Sequence, residues 1–130
     1  MASFRFLASR LSRRHFSTTP RRFEHYIDAD FHFPEERIVL IDFYAHWCQP
    51  CKVLSPILEQ LTEDPSTKTV SRQPLDLVII NSDTEDGREL CQRFKVRALP
   101  TVVAFQGGKA IKTFTGALRE RQVRQFLREI

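Results

Sequence analysis

The chain has 130 residues, 42% apolar and 28% charged, enough for one globular domain and too few for two. Its four glycines, seven prolines and three cysteines exclude a fibrous chain and a secreted disulfide scaffold, and no uncharged apolar run reaches the roughly 18 residues of a membrane span. The net charge of +4 is unevenly placed: residues 1–22 hold six arginines and no acid, while 23–130 carry 14 basic and 16 acidic side chains, a net of −2 that speaks against a nucleic-acid partner.

Residues 1–22 read as an address. Arg5, Arg10, Arg13, Arg14, Arg21 and Arg22 are interspersed with Ser3, Ser9, Ser12 and Ser17, and the first acid is Glu24. Phe4, Leu7 and Leu11 share one helical face, so the segment is Arg-rich, Ser-rich, acid-poor and amphipathic, the make-up of a mitochondrial transit peptide. A disordered basic tail is the plainer reading and a chloroplast the rival organelle; arginine density favours the mitochondrion. The run from Arg13 to Thr19 resembles presequence processing sites, with cuts expected after His15, Phe16 or Phe23. The division is therefore a leader over 1–22 and a domain over 23–130.

Within the domain, 23–37 is hard to read: 23–27 suits a short strand, and Pro34 interrupts the 28–36 segment. Residues 38–45 form an apolar, β-rich run, the pattern of a strand buried on both faces. A helical pattern comes after His46-Trp47-Cys48-Gln49-Pro50-Cys51, with Val53, Leu54, Ile57, Leu58 and Leu61 on one side and Pro56 as a kink. Polar residues 62–74, with prolines at 65 and 74, read as a loop, and 75–80 as a second buried strand. Residues 86–94 read as a helix, 101–105 and 110–114 as strands joined by a Gly107-Gly108 turn. Over 118–130 a last amphipathic helix turns Val123, Phe126, Leu127 and Ile130 inward. The order β-α-β-α-β-β-α predicts an α/β fold: one mixed sheet of four to five strands, parallel where a helix crosses over, with helices on both faces.

The chemistry lies at Cys48 and Cys51. Two cysteines three apart at a strand-to-helix junction can close a small disulfide ring. With Cys48 at the helix N-terminus, unpaired N–H groups and the positive end of the helix dipole stabilise its thiolate, making it the attacking sulfur. Cys51, one turn in and more buried, stays protonated until needed. Zinc uses the same spacing, but Cys91 and scattered histidines offer no second ligand pair.

Other positions carry two readings each. Asp42, inside an apolar strand, is either an edge residue in water or a buried carboxyl with a raised pKa that takes the Cys51 proton. Trp47 is a core aromatic on its plain reading. Pro100 is an ordinary strand-start proline or part of the site. Gly116 satisfies a turn or lets a client approach. His46 reads as a solvated neighbour that makes the site slightly pH-sensitive, and Cys91 as a small buried apolar residue rather than a regulatory thiol.

The ordered set Asp42-Phe43-Tyr44-Ala45-His46-Trp47-Cys48-Gln49-Pro50-Cys51-Lys52, Pro56, Leu99-Pro100-Thr101, Gly107-Gly108 and Thr115-Gly116-Ala117 resembles the thioredoxin family over about residues 36–129. The resemblance implies the thioredoxin fold and a thiol-disulfide oxidoreductase that reduces protein disulfides. It implies that Cys48 attacks and Cys51 resolves, that Pro100 is a cis proline beside them, and that the backbone of Leu99 binds a client strand. Trp47, Gln49, Pro50 and Gly116 are the expected client contacts, and the resemblance makes Trp47 a lid over the sulfurs as well. No cofactor is expected beyond the Cys48–Cys51 disulfide, with NADPH used indirectly through thioredoxin reductase. The expected partners are that reductase and disulfide-containing clients such as peroxiredoxin, with a monomeric protein in the mitochondrial matrix and neither nucleic acid nor membrane insertion involved. A protein dedicated to one client, and a non-cycling binding module or chaperone, are the alternatives. Four departures from the family pattern bear on client range and redox poise: Gln49 in place of the usual glycine, Ile79 where many members have a lysine beside the aspartate, the long 62–74 loop, and an abbreviated first strand and helix.

Overall fold

Five strands form one sheet: β1 (Arg22–Phe23), β2 (Ile38–Tyr44), β3 (Leu75–Asn81), β4 (Thr101–Gln106) and β5 (Lys109–Thr115), in the order β1-β3-β2-β4-β5. These come from a computed structural model that describes residues 22–23, 35–67 and 69–130. β2 and β3 run parallel, joined through helix α1 (Gln49–Glu63), while β2–β4 and β4–β5 are antiparallel. Helix α2 (Glu85–Arg93) connects β3 to β4, and α3 (Glu120–Arg128) follows β5. The expected mixed α/β sheet is present.

β2 is apolar at nearly every position because it lies at the sheet centre with a layer on each side. Alternate side chains point to opposite faces. Ile38 and Leu40 pack with Leu54, Leu58 and Leu61 of α1 and with Val123, Phe126 and Leu127 of α3. Val39, Ile41 and Phe43 pack on the other side with Leu90 of α2 and Phe105. Asp42 belongs to the first of these faces. It is the one charged residue in an otherwise apolar strand.

Two local readings need correction. Val53 is not on the buried side of α1 but 63% exposed, since the buried stripe runs through Cys51, Leu54, Leu58, Leu61 and Thr62 and passes it by. α1 continues to Glu63, two residues into the expected loop, because Thr62 is buried in that stripe and donates its hydroxyl to the carbonyl of Leu58 (2.8 Å). Helix α1 also runs through Pro56, which is exposed, so the carbonyl it leaves without a helical partner belongs to exposed Lys52. The strand at Arg22–Phe23 straddles the boundary drawn between leader and domain; 1–21 and 24–34 lie outside the described residues.

The two ends of the sheet are held differently. At the end where β2 and β3 begin, Arg37 and Asp76 form a buried bidentate ion pair, with Nε and Nη2 each donating at 2.7 Å. The loop after α1 is tied to the last residue of the chain, the N–H groups of Val70 and Ser71 donating to the Ile130 carbonyl at 2.7 and 3.3 Å. The opposite end, where β2 and β3 finish, carries the cysteines.

Candidate active site

β2 delivers the chain to the sheet's C-terminal edge, and a tight turn at His46 and Trp47 leads into α1. The N–H of Cys48 donates to the Ala45 carbonyl at 3.1 Å, closing that turn. Cys48 is the N-cap, with extended backbone, and its sulfur accepts the N–H of Cys51 at 3.3 Å. Pro50 occupies the first turn, where no helical N–H is needed. Cys48 and Cys51 are joined by a disulfide, with their Cα atoms 5.3 Å apart. Both sulfur residues are nearly buried, at 4% and 1% exposure, and they cluster with Ala45 beneath Tyr44 and Leu99. The asymmetry between them therefore comes from helix position, cap against interior, rather than from accessible area.

Around this pair the predicted residues gather. Trp47 is 69% exposed, outside the core, and its indole N–H donates to Oδ2 of Asp83 at 3.0 Å, tying it to the turn between β3 and α2. Gln49 and Pro50 are exposed beside it, and His46 meets the Tyr44 ring edge-on at 5.4 Å. The Leu99–Pro100 bond is cis, and the Pro100 carbonyl accepts the Gly116 N–H at 2.8 Å. Gly116 has φ of 99°, a left-handed conformation that side chains disfavour, so glycine here serves the backbone. Cys91 lies elsewhere, half-buried in the α2-side core, where burial pushes its thiol pKa up.

Asp42 is fully buried. Its neighbours across the sheet are Ile79 on β3 and Val102 on β4, so no ammonium sits beside it in the ladder. Burial in this apolar layer lifts its carboxyl from 3.8 to about 6; the Ser55 hydroxyl, donated to Oδ2 at 2.6 Å, works against the rise, and the negative charge of Glu59 adds to it. Ser55, Glu59 and Asp83 escape a reading of the sequence alone. Helical register is the signal that would find the first two, since Ser55 and Glu59 follow Cys51 at i+4 and i+8; Asp83 meets Trp47 across 36 residues and has no local signal.

A thioredoxin family model matches residues 15–129. The chain belongs to the thioredoxin family. That match opens inside the leader assigned from composition. Related chains include bacterial, chloroplastic and mitochondrial thioredoxins. The thioredoxin of Mycoplasmoides gallisepticum is 31% identical over 90 residues, covering 69% of this chain and 81% of that protein. The mitochondrial thioredoxin of Bos taurus is 36% identical over 95 residues, covering 73% of this chain and 52% of that protein, so the match spans about half its length. Among solved structures, a point-mutant thioredoxin from Halobacterium salinarum NRC-1 superposes with a TM-score of 0.63 at 25% identity, over 85% of this chain and 88% of that one. With the Cys48–Cys51 pair at the head of α1, this thioredoxin-fold chain is a thiol-disulfide oxidoreductase, and the disulfide itself is its redox group.

Proposed function

We propose that the chain is a monomeric mitochondrial thioredoxin, a general reductant of protein disulfides in the matrix. The observation that carries the reading is the disulfide-linked Cys48–Cys51 pair at the α1 N-terminus, next in sequence to exposed Trp47. In the disulfide form the Cys48 sulfur accepts the Cys51 N–H at the positive end of the helix, and after reduction the same N–H and helix end favour its thiolate. That thiolate attacks a client disulfide, forming a Cys48–client bond and releasing one client thiolate. Asp42 takes the proton of Cys51, whose sulfur then attacks Cys48, forming the intramolecular disulfide and releasing the second client thiolate. Two electrons pass to the client. Trp47, Gln49, Pro50, Leu99, Pro100 and Gly116 form the client-facing rim, and Leu99 offers backbone groups to an extended client segment.

Thioredoxin reductase returns the dithiol with electrons from NADPH, and peroxiredoxins are among the clients. The basic leader and the mitochondrial relative support a matrix address, against a chloroplast as rival. Gln49 within the ring and Ile79 beside Asp42 favour one second reading, a protein specialised for a single client. Insulin reduction with mitochondrial thioredoxin reductase and NADPH separates them. Fast turnover is expected; slow turnover with fast reduction of one peroxiredoxin supports the specialised reading, and no turnover with either leaves a binding module.

Cysteine variants test the assigned order of attack. Cys51→Ser keeps the attacking sulfur and removes the resolving one, so it should trap client ladders on non-reducing gels of mitochondrial extract. Cys48→Ser should trap almost none. Equal trapping by both overturns the assignment.

A further inference from the structure

Helix α1 carries two hydroxyl side chains that behave differently. Thr62 donates back to the carbonyls of its own helix, at Leu58 (2.8 Å) and Glu59 (3.1 Å), the usual habit of a hydroxyl inside a helix. Ser55 instead donates across the layer to Oδ2 of Asp42 at 2.6 Å. The other carboxylate oxygen, Oδ1, is buried with no hydrogen-bond partner among the described residues. Ser55 lies four residues after Cys51, so one face of one helix presents both the thiol and the hydroxyl toward the strand that bears Asp42.

Among the described residues, the remaining surroundings of Asp42 are apolar or repulsive. Ile79 and Val102 flank it in the sheet, Val123 and Leu127 belong to the same packed layer, and Glu59 on α1 adds a like charge. Ser55 is therefore the side chain that stabilises the ionised carboxylate. We propose that Ser55 is a positioning residue for thiol exchange: its hydroxyl anchors Oδ2 of Asp42 and leaves Oδ1 as the oxygen that receives the Cys51 proton. This rests on the reading of Asp42 as the proton acceptor. The proton moves from the Cys51 sulfur to Oδ1, the new Cys51–Cys48 bond displaces the client thiolate, and Ser55 neither gains nor loses a proton.

The test uses the full-length chain and two readouts. In the oxidised protein, where neither active-site cysteine titrates, the Asp42 pKa is read from its carboxyl-carbon NMR signal. In the reduced protein, stopped-flow mixing with excess dithiobisnitrobenzoate isolates the resolving step as the second, concentration-independent release of thionitrobenzoate. Ser55→Ala should raise the Asp42 pKa by about one unit, the worth of one hydrogen bond to a charged group. With a wild-type value of about 6, the resolving rate at pH 6 should then fall about fivefold, the loss shrinking as pH rises and nearly vanishing by about pH 8. Ser55→Thr, which keeps the hydroxyl, should restore both the titration and the profile. If Asp42→Asn abolishes the acid limb but Ser55→Ala leaves it unmoved, or lowers the rate evenly at every pH, the inference about Ser55 fails alone. An acid limb that persists in Asp42→Asn overturns the proton-acceptor reading and the Ser55 inference with it.

Discussion

Asp42 is a carboxyl at the centre of a sheet whose neighbouring strand positions are Ile79 and Val102, and its ionisation works against folding. Its pKa rises from 3.8 to about 6 on folding, mainly through burial, so the native state holds the proton that the unfolded chain has already released. Stability therefore falls as pH rises from the unfolded value to the folded one and stays reduced above it. Asp42→Asn removes the titration. Its effect on stability should be more favourable at pH 8 than at pH 4 by about 2–3 kcal/mol, measured as urea midpoints of the oxidised protein. Equal effects at the two pH values would mean that the carboxyl ionises as freely in the fold as in the unfolded chain. Ile79→Lys, which sets an ammonium opposite Asp42 in the ladder, should lower the carboxyl pKa and flatten the same pH dependence.

At the scale of elements, periodicity carries most of the fold. The apolar run of β2, the Gly-Gly turn between β4 and β5 and the inward set Val123, Phe126, Leu127 and Ile130 all express faces that pack, and faces are legible along a chain. The cysteine pair and its helix are legible for the same reason, being contiguous. Contacts made across the layers are not. Trp47 meets Asp83 across 36 residues and Arg37 meets Asp76 across 39, and nothing local distinguishes these side chains from solvated ones, whereas Ser55, which meets Asp42 13 residues away, is marked only by its helical register with Cys51. Val53 is misplaced by its sequence because a β-branched residue at the border of a helical stripe looks the same whether it turns inward or out. The Arg37–Asp76 pair gives this scale its prediction. It clamps the starts of β2 and β3 while buried, so removing one side chain takes the bidentate countercharge away from the buried charge of the other. Arg37→Met should cost about 3–5 kcal/mol in denaturant unfolding, whereas Arg37→Met with Asp76→Leu should recover much of that loss. A double variant no better than the single would mean that the pair's contribution is not electrostatic.

At the scale of the whole molecule, the edge strand β1 ties the start of the working domain to the choice of leader cut. The proposed leader carries six of the arginines, whereas residues 23–130 net −2, so the segment's charge serves an address better than the domain's surface. The three proposed cuts are not equivalent, however, because β1 pairs Arg22 with Leu77 and Phe23 with Val78. A cut after His15 or Phe16 keeps that edge strand, while one after Phe23 removes it. Chains spanning 1–130, 17–130 and 24–130 should therefore separate import from folding. The 17–130 chain should match the full chain in thermal midpoint and insulin-reduction turnover, yet fail to enter isolated mitochondria. The 24–130 chain should keep its turnover, because β1 lies at the sheet edge beyond β3 while the cysteines follow central β2. Its stability should drop by about 1–2 kcal/mol, the worth of one or two net hydrogen bonds, or at least about 4 °C in midpoint for a domain of this size. A loss of turnover in the 17–130 chain would show that residues 1–16 pack on the domain, and import of that chain would remove the leader from its proposed role.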